Sequence, residues 1–238
     1  MSYTLHITNK NYSSWSLRPW LLLRERGIPF EEKLTPFSND PALPTSELFR
    51  RFSPTGRVPC LVDGGITVWE SLAIVEYLAE RHPGVWPAAA AARAWARSVC
   101  AEMHAGFSAL RNLHSMSCGV RVKVTLRPPE LLADIARIEA LWNEGLARFG
   151  GPFLAGAEFS AVDAFFAPVA FRFQTYGVTV SGLAADYLAR LLALPGMREW
   201  EAAALLETGR EPGHEAEVLV LCEIVADLRA ASPAPTPR

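Results

Sequence analysis

Residues 56–80 read GRVPCLVDGGITVWESLAIVEYLAE, and this stretch decides the fold. Two short apolar runs within residues 58–69 are joined by Asp63-Gly64-Gly65, a combination that is typical of a β-hairpin. From residue 70 to residue 82 the apolar side chains recur at helical spacing and share one face. The stretch therefore predicts two antiparallel strands followed by an amphipathic helix.

Upstream of this hairpin, short strand patterns alternate with helical ones, separated by segments rich in proline, serine and asparagine. This alternation predicts a single βαβαββα unit over residues 1–82. Its predicted elements before the hairpin are, in order, a strand at 3–8, a helix at 17–27 that ends at Gly27, a strand at 30–35, a loop at 36–44 and a short helix at 45–52.

Downstream of the hairpin the strand patterns stop. Residues 83–92 contain two prolines and predict a linker, and residues 93–238 predict an all-helical domain that ends in a disordered tail from about residue 231. For residues 214–230 the pattern allows either a final helix or a pairing strand. The predicted helices of this domain span 92–113, 128–150, 160–177 and 183–207, the last of them broken near Pro195.

Composition and charge exclude several classes of function. The 238 residues are 50% hydrophobic and 20% charged, with a net charge of −2 and no block of Lys or Arg. This balance argues against a nucleic-acid partner and against an anionic membrane surface. The N-terminal sequence has no secretory signature and no apolar stretch approaches a membrane span, so we expect a cytoplasmic protein. Four widely spaced cysteines without a C-x-x-C pair predict reduced thiols and no metal site.

Three segments, in this order and spacing, resemble the cytosolic glutathione S-transferase family. SSWSLRPWLLLRERGIPFE (13–31) resembles the serine-type active-site segment of zeta- and tau-class members, in which an arginine follows the serine by five residues. GRVPCLVDGGITVWESLAIVEYLAE resembles the Val-Pro and Glu-Ser motifs of the family, and FSAVDAFFAP (159–168) resembles its helix-capping motif. The resemblance is to zeta/tau-like bacterial members. It implies a thioredoxin-like domain followed by a helical domain, glutathione as co-substrate, and a homodimer.

The resemblance also implies a set of glutathione-binding residues. A cis peptide bond before Pro59 would turn the Val58 backbone toward an extended peptide ligand, as an added strand would pair. Taken without the resemblance, Pro59 fits an edge strand with a trans bond, and Glu70-Ser71 fits a helix start capped by Ser71. Arg57 is equally consistent with a solvated side chain. The implied glutathione-binding residues are Ser14, Arg57, Val58, Pro59, Glu70 and Ser71.

The opening serines divide between a structural and a catalytic role. Pro19 fits the first turn of a helix, which places the helix start near Ser16 and makes Ser16 the predicted N-cap. Counting back five residues from Arg18, as in the resembling segments, selects Ser13 as the catalytic residue, with Ser14 as the alternative. A hydroxyl here would donate a hydrogen bond to the glutathione thiolate, so no His or Asp partner is required.

A pocket for an apolar electrophile is expected beside these serines. Trp15 stands where zeta-class members carry cysteine, which argues against their isomerase and dehalogenase activities. Met103, Phe107 and Arg111 follow helical i, i+4, i+8 spacing and predict the opposite wall of the pocket, although such a stripe is also typical of a core. We expect a transferase that joins glutathione to an apolar electrophile. The alternatives are a glutathione-dependent isomerase or peroxide reductase, and a non-catalytic ligand-binding protein.

Overall fold

The computed structural model describes residues 3–230, which begin with a four-stranded sheet. Its central strand β1 (Tyr3–Ile7) pairs in parallel with β2 (Phe30–Leu34) and antiparallel with β3 (Cys60–Asp63), and β4 (Ile66–Trp69) pairs with β3 at the edge. A parallel pair needs a crossover connection, which helix α1 (Ser14–Glu25) provides between β1 and β2. Because β1 and β3 are antiparallel, the loop that follows β1 and precedes α1 lies at the same end of the sheet as the residues that precede β3.

Two further helices complete this N-terminal unit. Helix α2 (Thr45–Phe49) lies in the long connection between β2 and β3, and helix α3 (Ser71–Ala79) follows the hairpin directly. The hairpin turns between Asp63 and Ile66, where Gly64 adopts a positive φ of 57° that glycine tolerates without strain. The predicted βαβαββα order of a thioredoxin-like domain is confirmed.

The second unit is mainly helical, as predicted. Its central helix α7 (Ala161–Tyr176) is buried along almost its entire length and packs against α1 of the first unit. No helix within residues 3–230 is long and apolar enough to cross a membrane. The remaining helices are α4 (Ala90–Ala105), α5 (Ser108–Leu113), α6 (Pro129–Phe149), α8 (Leu183–Ala193), α9 (Pro195–Leu206) and α10 (Pro212–Val218).

The second unit also contains a two-stranded sheet, so the prediction that it is all-helical needs correction. Strand β5 (Val120–Val124) pairs antiparallel with β6 (Cys222–Asp227). Val120 and Val122 are buried while Arg121 and Lys123 point the other way, which is the two-residue period of a strand. The segment 214–230, for which two interpretations were open, contains the end of α10 and then β6. The predicted tail from about residue 231 lies outside the described residues.

The helix predicted over residues 92–113 is interrupted. Helix α4 ends at Ala105, Gly106 is extended, and Phe107 adopts a left-handed φ of 59° before α5 begins. A bulky residue rarely adopts this conformation, and it turns the chain sharply at that point. The break removes the continuous i, i+4, i+8 face on which the predicted pocket wall depended.

The last part of the chain returns to the loop between β1 and α1. Glu207 accepts hydrogen bonds from the backbone N–H groups of Lys10 (2.6 Å) and Asn11 (3.2 Å). The Trp200 indole donates to the carbonyl of Lys10 at 2.8 Å. Residues 207–230, which we call the C-terminal strap, therefore help to hold the loop that carries the opening serines.

Candidate active site

Helix α1 begins earlier than the proline pattern predicts. Its N-cap is Ser13, whose Oγ accepts from the backbone N–H of Ser16 at 3.4 Å. The prediction that Ser16 caps the helix is therefore wrong, because Ser16 lies inside the first turn and is fully buried. Pro19 falls in the second turn, so the helix tolerates a missing N–H there and the proline does not mark its first turn.

Ser13 and Ser16 form a pair of hydroxyl groups at the helix start. Their Oγ atoms are 2.8 Å apart, with Ser13 assigned as the donor. Rotation of both hydroxyls reverses this bond, so that Ser13 accepts from both the N–H and the O–H of Ser16 and its own proton becomes free. Ser13 can then donate into the cavity and still cap the helix.

Ser14 offers a second hydroxyl at the same place. It is the first residue of α1 and lines the same cavity as Ser13. Among residues 3–230 no group forms a hydrogen bond with the Ser14 hydroxyl, whereas that of Ser13 is already paired with Ser16. The structure thus brings both candidate serines to the cavity and leaves the choice between them to experiment.

The opposite side of the cavity is formed by the residues before β3. The Val58–Pro59 peptide bond is cis, as the resemblance implied. Neither the N–H nor the C=O of Val58 has a hydrogen-bond partner among the described residues, because the β1–β3 ladder begins only at Cys60. Val58 and the exposed Arg57 line the cavity that holds the serines. This free backbone edge suits an extended peptide ligand.

Glu70 precedes α3 with an unusual backbone. Its φ of 69° is rare for a residue other than glycine, and such strain concentrates at functional sites. Its side chain is half-exposed and its Oε2 is 4.0 Å from Nε2 of His104. Burial and the charge of Arg18 lower the pKa of His104, which favours its neutral form, and within residues 3–230 no Lys or Arg nitrogen lies within 4.0 Å of the Glu70 carboxylate.

Ser71 lies behind Glu70 and is fully buried. Its hydroxyl accepts from Nη1 of Arg18 at 3.5 Å, and it is not part of the cavity wall. Its side chain is therefore placed to orient Arg18, and a ligand at Glu70 would meet Ser71 only through the backbone at the start of α3. The N–H groups there and the helix dipole favour an anion.

Two adjoining cavities contain these groups. The larger, about 460 Å³, extends from the serines to the helices of the second unit, and the smaller, about 330 Å³, contains Glu70, Pro59 and His104. Trp15, Arg57 and Val58 line both. Both volumes are within the range of small-molecule sites. Because the two cavities share a wall, one extended ligand could occupy parts of both.

The Trp15 indole contacts two cationic side chains, one from α1 itself and one from α5 of the second unit. The guanidinium of Arg18 lies 4.3 Å and that of Arg111 lies 4.8 Å from its ring centroid. Arg18 is fully buried and burial lowers its pKa. These contacts fix the indole between the two cavities, so Trp15 and Arg111 are brought to the predicted electrophile pocket.

Met103 and Phe107 are not brought to the pocket, so this part of the predicted wall needs correction. Neither lines the two cavities, and both are buried in the core. Met103 lies on the buried face of α4, and the break at Gly106 and Phe107 ends the helical spacing that would have aligned these two residues with Arg111. Met103 instead supports the pocket indirectly, because its carbonyl accepts a hydrogen bond from Nη2 of Arg111.

Several wall residues were missed by the sequence reasoning. Six of the eleven come from α2, α7 and the C-terminal strap, and the other five come from loops; most of these segments meet the serine loop only in the folded chain. Arg172 had a visible signal, because it is the only charged residue in α7 after Asp163 and the rest of that helix is apolar. The missed residues of the larger cavity are Tyr12, Phe37, Thr45, Ser46, Phe49, Gly56, Ser115, Met116, Arg172, His214 and Glu217.

The cysteines are poor candidates for catalytic residues at this site. All four are buried with free thiols, and burial raises the pKa of Cys60. A thiol with a raised pKa is a poor nucleophile, which argues against a thiol oxidoreductase that uses Cys60. Within residues 3–230 no group of three or more His, Cys, Asp or Glu side chains is arranged to hold a metal ion.

A thioredoxin-like domain with an open backbone edge, joined to a helical domain across a cavity, defines a class of glutathione-dependent proteins. Residues 12–81 match the family described as glutathione S-transferase, N-terminal domain, and residues 87–203 match glutathione S-transferase, C-terminal domain. The chain therefore belongs to the glutathione S-transferase family. The zeta/tau-like subclass stays a prediction.

Similar proteins have diverse names. The chain is 27% identical over 177 residues to the stringent starvation protein A homolog of Pasteurella multocida, covering 72% of this chain and 77% of that one. It is 28% identical over 172 residues to maleylacetoacetate isomerase of Rattus norvegicus, covering 71% and 78%. A glutathione transferase homolog from Burkholderia, solved with bound glutathione, shares the fold with a TM-score of 0.63 at 20% identity, covering 86% and 98%.

Proposed function

We propose that this protein binds glutathione and joins it, through its thiolate sulfur, to an electrophilic carbon held in the larger cavity. Family membership and the glutathione found in a structural neighbour support the binding. The single observation that carries the proposal is the placement of two serine hydroxyls at the start of α1, across one cavity from the unpaired backbone of Val58.

The cavities divide naturally among the parts of glutathione. The N–H and C=O of Val58 would pair with the cysteinyl residue, which directs its thiol toward α1. The γ-glutamyl ammonium would meet Glu70, and its carboxylate the N–H groups at the start of α3. Arg57, which is exposed and lines both cavities, would meet the glycyl carboxylate.

The thiol must be ionised to react. A thiol of pKa about 8.5 is only about 3% ionised at pH 7, and lowering this pKa by about two units needs about 2.7 kcal/mol. A hydrogen bond to a charged group contributes about 1.5–3 kcal/mol and a helix N-terminus about 0.3–1 kcal/mol. Ser13 at the start of α1 therefore supplies enough stabilisation, with its proton freed by the Ser16 hydroxyl.

With an aryl halide as co-substrate, the thiolate sulfur attacks the ring carbon and a carbon–sulfur bond forms. The carbon–halogen bond breaks, halide leaves with the bonding electron pair, and the thiol proton is released to solvent. A screen of electrophiles, peroxides and disulfides with glutathione tests this reaction class against the alternatives. Glutathione binding without turnover of any of them would indicate a ligand-binding protein.

By resemblance to the family we also propose that the protein is cytoplasmic and forms a homodimer.

Alanine substitutions of the three serines should have different effects. Ser13→Ala should raise the thiol pKa of bound glutathione by about one unit or more, because it removes a hydrogen bond worth about 1.4 kcal/mol to the thiolate. It should also lower stability by about 1 kcal/mol, because Ser13 is the N-cap. The measurements are thiolate absorbance of the glutathione complex against pH, and urea unfolding.

Ser16→Ala and Ser14→Ala are the matched controls. Ser16→Ala keeps the cap, so we expect a smaller loss of stability and a smaller rise of the thiol pKa than in Ser13→Ala. Ser14→Ala should leave the titration close to wild type. A shift in Ser14→Ala alone would transfer the catalytic role to Ser14, and unchanged titrations in all three variants would refute a serine role.

Glu70→Gln should weaken glutathione binding by about 2 kcal/mol, or roughly thirtyfold, because it removes the charged acceptor for the γ-glutamyl ammonium. Titration calorimetry measures this directly. Glu80→Gln, at the opposite end of α3 and paired with Arg81 at the surface, is the control and should bind glutathione as wild type does. Equal affinities of wild type and Glu70→Gln would rule out this role for Glu70.

A further inference from the structure

The helical side of the larger cavity has an unusual charge distribution. Arg111, from α5, and Arg172, from α7, both line it. Arg172 is 5% exposed, and no carboxylate oxygen of the described residues lies within 4.0 Å of either guanidinium group. Two largely buried cations without an ion-pair partner are costly, since a buried charge normally carries a counter-charge.

The two guanidinium groups are held in place by neutral carbonyl groups. Arg111 donates from Nε to the carbonyl of Gly106 at 3.0 Å and from Nη2 to that of Met103. Arg172 donates from Nε to the carbonyl of His114 at 2.8 Å and from Nη1 to that of Pro168 at 3.4 Å. These bonds fix the orientation of both groups, and the carbonyl acceptors carry no formal negative charge.

Each arginine also keeps one terminal nitrogen free. Among residues 3–230, neither Nη1 of Arg111 nor Nη2 of Arg172 has a hydrogen-bond partner, although both side chains reach the cavity. Burial, and then repulsion by Arg111, lowers the pKa of Arg172 to about 9. A bound anion would offset the repulsion between the two guanidinium groups and would accept hydrogen bonds from Nη1 of Arg111 and Nη2 of Arg172.

The nearby acidic groups are engaged elsewhere. Glu217 lines the same cavity, but its Oε2 accepts from the Ser115 hydroxyl at 2.8 Å. Asp134 accepts from the backbone N–H of Leu110 at 2.9 Å. His214 also faces the cavity, and its Nδ1 is 2.7 Å from the Glu211 carboxylate. Asp134 still attracts Arg111 and Glu217 still attracts Arg172 over a longer distance, but neither carboxylate lies within 4.0 Å of a guanidinium group, so the free donors of the two arginines stay open to a ligand.

We infer that Arg111 and Arg172 bind a carboxylate on the co-substrate. The electrophile is then an organic acid with an apolar body, not a wholly apolar molecule as the sequence indicated. Trp15, Phe37 and Met116 form the apolar part of the wall. A planar carboxylate matches the planar guanidinium fork better than a spherical anion does. This inference rests on the proposed function and specifies its substrate class.

The test compares two aryl chlorides that differ in one group, 4-chloro-3-nitrobenzoate and 4-chloro-3-nitrobenzamide. At saturating glutathione, wild type should turn over the acid with a kcat/KM at least about tenfold above that of the amide, after correction for their uncatalysed rates. In Arg111→Met or Arg172→Met this ratio should fall to near unity. A ratio near unity in wild type, or an unchanged ratio in both variants, overturns the inference.

A binding measurement keeps the test decisive if a variant fails to fold. By calorimetry, wild type should bind the glutathione conjugate of the acid at least about tenfold more tightly than that of the amide. Equal affinities overturn the inference. Loss of affinity for glutathione itself in Arg111→Met also overturns it, because the arginines would then bind a glutathione carboxylate.

Failure of the proposed function gives a different result. If glutathione does not bind to wild type, the proposed function is refuted. The binding of 4-chloro-3-nitrobenzoate alone, compared with the amide in wild type and Arg111→Met, still tests the carboxylate site. A preference for the acid that disappears in Arg111→Met supports the site, and no preference overturns it.

Discussion

Asp163→Asn should lower the free energy of unfolding by about 3 kcal/mol at pH 7.5. Asp163 is fully buried, and four donors converge on its carboxylate. Its Oδ1 accepts from the N–H of Leu154 (3.0 Å) and the hydroxyl of Tyr187 (2.9 Å), and its Oδ2 from the N–H (2.9 Å) and hydroxyl (3.3 Å) of Ser160. The asparagine NH₂ would face at least one backbone N–H that cannot rotate away, and each unsatisfied buried group costs about 1–3 kcal/mol.

Urea unfolding measures this effect, and Asp134→Asn is the matched control. Asp134 is only partly buried and accepts a single backbone bond, so its amide variant should lose about 1 kcal/mol or less. Similar losses in the two variants would contradict the importance of the Asp163 network. The network matters for function because α7, which starts at its capping box, carries Arg172 and packs against α1.

The same variant should change the pH dependence of stability. Burial raises the pKa of Asp163 to about 6, above its ordinary value, so the folded state binds the proton more tightly than the unfolded state. The stability that Asp163 contributes is therefore largest below about pH 4 and declines as the pH rises to about 6. The difference in unfolding free energy between wild type and Asp163→Asn should decline over that interval.

Arg229→Ala should release the C-terminal strap from the serine loop. The Arg229 side chain is only 3% exposed and binds two carboxylates, with Nη2 3.0 Å from Glu215 and 2.6 Å from Asp227. Hydrogen bonds that Arg229 donates to the Asp227 carboxylate raise the pKa of Arg229 despite its burial. Tyr12, which lines the larger cavity, donates to the same Glu215 carboxylate. Because the Glu215 and Asp227 side chains are 29% and 42% exposed, removing Arg229 should cost less than the about 3–5 kcal/mol of a fully buried pair.

We expect this loss to be local, because the strap lies at the edge of the second unit. Amide exchange in β6 should accelerate by a hundredfold or more, while that of α7 stays unchanged. Arg137→Ala is the control, because Arg137 also makes a paired contact with a carboxylate, Glu102, but is 50% exposed, and exposed pairs contribute at most about 1 kcal/mol. Unchanged exchange in β6 of Arg229→Ala would show that the strap is held by other contacts.

Local patterns were sufficient for most of the fold. The hairpin at residues 60–69 and the helices are encoded by residues close together in the chain, so their periodicity predicts them. The β5–β6 pair joins Val120 to Asp227, and no local pattern specifies which distant strand pairs with which. The alternation of valines with Arg121 and Lys123 was nevertheless a strand signal within residues 120–124.

The site was predictable where it consists of motifs and unpredictable where it depends on packing. Val58, Glu70 and the serines each lie at a strand or helix start that the sequence indicates. The cap at Ser13 depends on a hydrogen bond to Ser16 that a proline at residue 19 does not reveal. Arg172 and Glu217 reach the cavity from α7 and the strap, so only the tertiary structure brings them together.

The contacts of the strap with the serine loop also affect how the protein matures during synthesis. Glu207 and Glu215 bind residues that precede them by 197 and 203 positions, so the ribosome makes the serine loop long before its partners emerge. Contacts between such distant residues form slowly. We expect the nascent chain to fold its sheet first and to complete the larger cavity only as the last step.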